Sequence, residues 1–191
     1  MEVVEMKERL IQLAETFAEQ EARLTELDRA IGDGDHGVNM LRGFKALPER
    51  MDDSSMAQLF KSTGMTLMSQ IGGASGPLYG FSFVKMSQVV DEDFSKEQLP
   101  NVLEAFAEAV AQRGKVERGE KTMFDVIDRA REAVANGERV TLEILQGYAQ
   151  DTVDLEATKG RAAYFKEESI GHMDPGAQSS VYILNALIGE V

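Results

Sequence analysis

Along most of its 191 residues the chain places apolar side chains three and four positions apart. That is the spacing of one face of an α-helix, and no stretch shows the sustained alternation of a half-buried strand. Residues 2–27 show it most clearly, with Val3, Met6, Leu10, Leu13, Ala14, Phe17, Leu24 and Leu27 on one stripe. Glycine, proline and capping residues divide the rest into seven further stretches. The second, near residues 38–47, ends by Pro48. Ser55-Met56-Ala57-Gln58 opens the third, which stops at Gly72-Gly73, and the fourth starts near Gly76-Pro77 and runs to about Val90. Beyond a solvated link, Asp91-Glu92-Asp93-Phe94-Ser95, the fifth covers residues 97–113 and breaks at Gly114. Thr122 and Asp125 form a capping signature for the sixth, which reaches Asn136-Gly137. The seventh runs from Thr141 to near Lys159-Gly160, and Asp174-Pro175-Gly176 opens the eighth. The expectation is a single all-α domain over residues 1–191, an eight-helix antiparallel up-and-down bundle.

Between the first two helices lies Leu27-Asp28-Arg29-Ala30-Ile31-Gly32-Asp33-Gly34-Asp35-His36-Gly37. Three carboxylates fall within eight residues, and such crowding repels itself unless a cation sits there. One glycine separates Asp33 from Asp35, so both side chains can reach one point, and Asp28 can add a third oxygen from the preceding helix. Oxygen ligands alone, with no cysteine in the chain, suit a hard divalent cation such as Mg²⁺. A calcium loop of the helix-loop-helix type is excluded, because Gly37 and Phe44 occupy positions where that pattern needs acids. The structural alternative is a solubilised turn whose aspartates only cap the next helix.

A net charge of −13 argues against binding nucleic acid or an anionic membrane, both of which need basic surface. A polyanionic ligand would need metal ions to be held. Without cysteine there is no disulfide framework, and the amino terminus lacks the apolar core of a signal peptide, so a cytoplasmic protein is expected.

Short links make successive helices antiparallel, so the links after odd-numbered helices should gather at one end. Those after even-numbered helices are plain. The odd ones are the acidic turn, the glycine-rich residues 72–80, residues 114–121 and residues 160–176. Their end also receives four helix N-termini with unpaired amides and positive dipole ends, a setting for an anion. Residues 114–122 look like a phosphate-binding P-loop but have one residue too many before the lysine and follow a helix, so that reading fails. Arg161 suits a phosphoryl group, and His36 and His172 could contact phosphate from these loops. Met123 and Leu78 could pack on a nucleobase, although helix core is the simpler reading of Leu78. Three carboxylates and a diphosphate together carry about six negative charges, which two Mg²⁺ would largely neutralise.

The acidic turn, Gly72-Gly73-Ala74-Ser75-Gly76, Lys121-Thr122-Met123, and Lys159-Gly160-Arg161-Ala162 with Gly171-His172-Met173-Asp174-Pro175-Gly176-Ala177 resemble, in that order, the nucleotide-binding subunits of bacterial dihydroxyacetone kinase, the DhaL family. The resemblance covers essentially the whole chain. It implies an eight-helix barrel with the nucleotide and two Mg²⁺ at one end. It also implies that Asp28, Asp33 and Asp35 hold the metals, and that His36, Gly37, Val38, Asn39, Ala74, Ser75, Gly114, Met123, Arg161, Asp174, Pro175 and Gly176 line the nucleotide. In the phosphoenolpyruvate-dependent branch ADP is retained. A phosphohistidine protein of the phosphotransferase system phosphorylates it in place, and the ATP formed serves dihydroxyacetone held on a partner kinase subunit. A homodimer is a further candidate assembly. Two positions depart from the family: Glu120 where aspartate is usual, and Lys166-Glu167-Glu168-Ser169 where Gly-Glu-Arg-Ser is common. Both concern the outer lid and partner contacts. The competing functions are a kinase domain for another acceptor, a nucleotide sensor without turnover, and a phosphoprotein modified on His36.

Overall fold

In the computed structural model, which describes residues 1–90 and 94–189, eight α-helices and three 3-10 segments are present. The helices are α1 (Val3–Ile31), α2 (His36–Lys45), α3 (Met56–Gln70), α4 (Ser75–Met86), α5 (Leu99–Gly114), α6 (Met123–Ala135), α7 (Leu142–Gln150) and α8 (Pro175–Ile188). Each packs on the next and α8 returns to α1, which closes the ring. The stripe of α1 is spent on the interior: Phe17 lies 4.6 Å from the Phe44 ring and 5.8 Å from that of Tyr182. Between the neighbouring helices α3 and α4, Phe60 meets Phe83 edge-on at 5.8 Å. Such aromatic contacts join elements far apart in sequence into one core.

Capping residues set most boundaries. Ser55 Oγ accepts from the Gln58 amide, Thr122 and Asp125 form a reciprocal capping box, and Asp174 accepts from the Ala177 amide. Four boundaries differ from expectation. The first helix runs one turn further, which puts Asp28 inside it, and α2 begins at His36 rather than near Val38. The cause of the latter is a cap from outside the local sequence: Asp28 Oδ2 accepts the amides of Asp35 at 2.9 Å and His36 at 3.1 Å. The seventh helix ends at Gln150, well short of Lys159. There the Lys121 ammonium takes the carbonyls of Thr152, Val153 and Leu155 and turns the chain into a 3-10 segment, Asp151–Asp154. The fourth helix also stops at Met86, before Val90. Of the acidic link expected at residues 91–95, residues 91–93 lie outside the described residues; Phe94 is buried in the core. No described helix is long and apolar enough to cross a membrane.

The segment after Gly160 is a 3-10 stretch, Arg161–Ser169, kinked at Lys166. Ala157 and Ala162 pack with Ile31 in a small apolar cluster of their own, joined by Phe165, so this segment rests on the last turn of α1.

Candidate functional site

One cavity of about 440 Å³ opens at one end of the ring, within the size range of small-molecule sites. Every odd-numbered link lines it: the acidic turn, the segment around Gly73 and Ala74, the turn around Gly114, and the middle and far end of the α7–α8 connection. The first turns of α2, α4, α6 and α8 all contribute as well. Short antiparallel links produce this gathering, as the order of the helices predicts.

The acidic pole is compact. Asp28, Asp33 and Asp35 each offer an oxygen, and the three oxygens lie within 4.8 Å of one another. Asp28 is buried while the other two are exposed. Its Oδ2 caps α2, and its Oδ1 lies where a side chain on Gly32 would intrude: a Cβ there would come within 2.1 Å. Glycine at position 32 is thus required by a close approach, and the carboxylate is fixed before any ion arrives. Three hard oxygen donors so placed fit a divalent cation such as Mg²⁺, with water or phosphate oxygens filling the remaining positions.

Arg161, the expected phosphate-binding cation, stands at the rim and pairs with Asp33 at 2.7 Å. The start of α4 differs from its neighbours. The helices α6 and α8 are capped by Thr122 and Asp174 and α2 by Asp28, but α4 begins at Ala74 with no side-chain cap, which leaves first-turn amides for an anion. Opposite in character is the apolar lining of Leu78, Val110, Val116 and Met123. A Cβ on Gly114 would meet both Leu78 and Val116 at 3.4 Å, so these side chains form one surface with Gly114.

The floor carries a buried hydrogen-bond chain. His36 Nε2 bonds Ser179 Oγ at 3.0 Å and Nδ1 bonds Ser75 Oγ at 3.3 Å. Tyr79 OH bonds Ser179 Oγ at 2.7 Å and donates to the Gly176 carbonyl at 3.2 Å. Burial pulls the His36 pKa below its usual value, against the opposing charges of Asp28 and Asp35. A neutral imidazole with both nitrogens engaged joins the starts of α2, α4 and α8, and it is not free to accept a phosphoryl group. Burial also pushes Asp174 up, to about 7, although the Ala177 amide and Lys121 favour its charged form.

Of the residues expected at the nucleotide, His36, Asn39, Ala74, Ser75, Gly114, Met123, Arg161, Asp174, Pro175 and Gly176 line the cavity. Gly37 and Val38 do not: Gly37 is pressed against the Glu21 carbonyl and Thr25 of α1, and Val38 is half exposed. His172 is exposed and away from the cavity, and Leu78 lines it despite the simpler reading as helix core. Val110, Val116 and Lys121 were missed. The valines flank the Gly114 break, a signal that was available; Lys121 stands in the Lys121-Thr122-Met123 motif that carries the resemblance and immediately before a capping box. At the two departures, Lys159 Nζ, beside the cavity, is 3.6 Å from Glu120, and Ser169 Oγ accepts the Ala157 amide at 2.8 Å.

Over 178 residues, 91% of this chain and 89% of the relative, the sequence is 47% identical to the ADP-binding subunit DhaL of PEP-dependent dihydroxyacetone kinase 1 from Listeria innocua. It is 42% identical over 177 residues to the PTS-dependent subunit DhaL from Lactococcus lactis, covering 91% of this chain and 90% of that one. With the PEP-dependent subunit DhaL of Escherichia coli it shares 39% over 193 residues, 93% of this chain and 92% of the relative. The crystal structure of the C. freundii dihydroxyacetone kinase in its native form superposes with a TM-score of 0.73 at 23% identity. That likeness is of fold; it takes in 96% of this chain and 34% of that one, so the chain spans about a third of the larger enzyme. A second structure of the same enzyme, in complex with AMP-PNP and Mg²⁺, gives a TM-score of 0.70. The DAK2 domain family matches residues 30–189, a span that starts in the last turn of α1 and takes in every link around the cavity. The chain belongs to the DAK2 domain family.

Proposed function

We propose that this chain is the ADP-binding, phosphoryl-transferring subunit of a phosphoenolpyruvate-dependent dihydroxyacetone kinase. The observation that carries the reading is the convergence of Asp28, Asp33 and Asp35 within 4.8 Å in a cavity that receives the starts of four helices. Names of relatives 39–47% identical over nine-tenths of the chain support the same activity.

Asp28, Asp33 and Asp35 would hold two Mg²⁺, and the uncapped start of α4 would take phosphate oxygens. The apolar surface of Leu78, Val116 and Met123 would receive the base, while Asp174-Pro175-Gly176 and Asn39 bound the ligand on other sides. When bound, ADP with Mg²⁺ supplies the oxygen that accepts a phosphoryl group from a phosphohistidine protein and, as ATP, the γ-phosphoryl for dihydroxyacetone on a partner subunit. The protein contributes position and charge, which is how phosphoryl transfer is generally catalysed. Arg161 can leave Asp33 for the transferring group, since a guanidinium fits phosphate oxygens in a two-pronged way. His36 orients the starts of three helices and stays unmodified.

The reading is tested by native mass spectrometry of the purified chain together with phosphoenolpyruvate-dependent phosphorylation of dihydroxyacetone in the reconstituted system. Expected are copurifying ADP in the wild type, its loss in Asp33→Asn and in Asp35→Asn with helical content retained, and turnover by the wild type only. Unchanged ADP in either variant contradicts the metal assignment. Nucleotide binding without turnover would make the chain a sensor.

A further inference from the structure

Lys121 is a charged side chain with 1% exposure, and the acidic cluster makes no use of it. Its backbone is in the left-handed region, φ 60°, immediately before the capping box that opens α6. Its ammonium reaches the end of α7 and donates to the carbonyls of Thr152 at 2.5 Å, Leu155 at 3.0 Å and Val153 at 3.4 Å. Three protons meet three acceptors just past the end of α7, in the 3-10 turn Asp151–Asp154 and at Leu155, which follows it.

Thr152 passes the contact onward. Its hydroxyl donates to the Ala149 carbonyl at 2.7 Å and accepts the amide of Asp174 at 3.2 Å. The Asp174 carboxylate in turn holds the Ala177 amide at 2.7 Å in the first turn of α8. The starts of α6 and α8 abut, since a Cβ on Gly176 would lie 3.4 Å from that of Met123. Lys121 thus carries Thr122 and Met123 on its own backbone, grips the end of α7 with its ammonium and, through Thr152, fixes Asp174. All three segments border the cavity or lead into it.

A buried ammonium in a left-handed backbone is a costly way to make a crosslink that apolar packing could supply. Apolar packing, however, supplies no charge. Asp174, Asp154 and Asp125 all act electrostatically on this ammonium, and without it they would confront an anionic ligand unbalanced.

We propose that Lys121 is a positioning residue for the nucleotide: it holds Asp174-Pro175-Gly176 against Met123 through Thr152, and its charge offsets the neighbouring carboxylates so that an anion can enter beside them. The inference rests on the nucleotide reading of the cavity.

The test measures Mg²⁺-dependent ADP binding by calorimetry in the full chain for Lys121→Met, Thr152→Val and the double variant. Mn²⁺ binding without nucleotide is followed in parallel by electron paramagnetic resonance. Expected is about a tenfold weaker ADP affinity in each single variant, the size of a broken buried contact. Because the two residues act in series, the double variant should lose no more than Lys121→Met alone. Mn²⁺ affinity should not fall, and Thr152→Ser, which keeps the hydroxyl, should recover most of the ADP affinity. A folded Lys121→Met that binds ADP within twofold of wild type overturns the proposal, as do losses that multiply in the double variant or a matching loss of Mn²⁺ affinity. If Lys121→Met fails to fold, the Thr152 pair decides: unchanged affinity in Thr152→Val overturns the proposal, and a loss rescued by serine supports it. A wild-type chain that binds no ADP removes the nucleotide reading itself; wild-type binding with unaffected variants removes only the role of Lys121.

Discussion

The two links richest in polar function border the same cavity and are built in opposite ways. Between α1 and α2 lie four residues, and the turn is closed by Asp28, itself part of α1, accepting two amides at the start of α2. Between α7 and α8 lie more than twenty residues in 3-10 and irregular conformation, held by Lys121, by Ser169 and by a small apolar cluster against Ile31. The short link carries its own geometry. The long one borrows its geometry from residues far away in sequence.

The largest expected effect lies in the short link, where Asp28 performs two tasks with one carboxylate. Asp28→Ala should abolish detectable Mg²⁺-dependent ADP binding and also lower unfolding free energy by about 1–2 kcal/mol through the lost cap. Asp28→Asn keeps an acceptor oxygen for the amides but removes the charge, so it should lose ion binding while its melting temperature stays close to wild type. Calorimetry and thermal unfolding on both variants separate the roles. Equal destabilisation by alanine and asparagine would show that charge, rather than the cap, closes this turn.

The same contrast explains what the sequence disclosed. Eight helical stretches, the caps at Ser55, Thr122 and Asp174, and the gathering of odd-numbered links follow from periodicity and local chemistry, and all are present in the structure. The three acids converge because a glycine separates two of them and a helical turn presents the third. The end of α7 was misplaced because the apolar pattern continues there, while the ammonium that turns its carbonyls aside comes from Lys121, about thirty residues earlier. The start of α2 was misplaced for the mirror reason: its cap comes from Asp28 rather than from the adjoining residues. At Gly37 the demand for a residue without a side chain arises from contact with Glu21 and Thr25 of α1, which nothing in the local sequence announces.

At the far end of the long link the effect is intermediate in size and depends on pH. Burial raises the Asp174 carboxyl from 3.8 to about 7, so the folded chain holds a proton that the unfolded chain releases near pH 4. Between those values the unfolded state binds fewer protons, and stability due to this group falls as pH rises; below pH 4 and above pH 7 the slope vanishes. Asp174→Asn keeps an acceptor for the Ala177 amide without titrating. Relative to that variant, the ligand-free wild type should lose about 2 kcal/mol of stability between pH 5 and pH 7.5. Denaturant titrations at the two pH values provide the check, and a wild type that gains stability relative to the variant as pH rises would mean that the carboxylate is stabilised by Lys121 more than it is penalised by burial.

The smallest effect concerns the ion pair that joins the two links. Arg161 meets Asp33 at 2.7 Å, with 66% and 35% of the respective side chains exposed. An exposed pair of this kind contributes at most about 1 kcal/mol, so Arg161→Ala should leave the unfolding midpoint nearly unchanged. Its consequence lies in competition. While the guanidinium engages Asp33, an incoming cation must displace it, so removing it should strengthen Mn²⁺ binding to the nucleotide-free chain by roughly two- to fivefold, the range that such a pair allows. In the presence of ADP the sign should reverse, because the arginine then lacks its role at the phosphates. Weaker Mn²⁺ binding in the nucleotide-free variant would instead mean that Arg161 pre-positions Asp33 for the ion, making the long link a support of the short one rather than its rival.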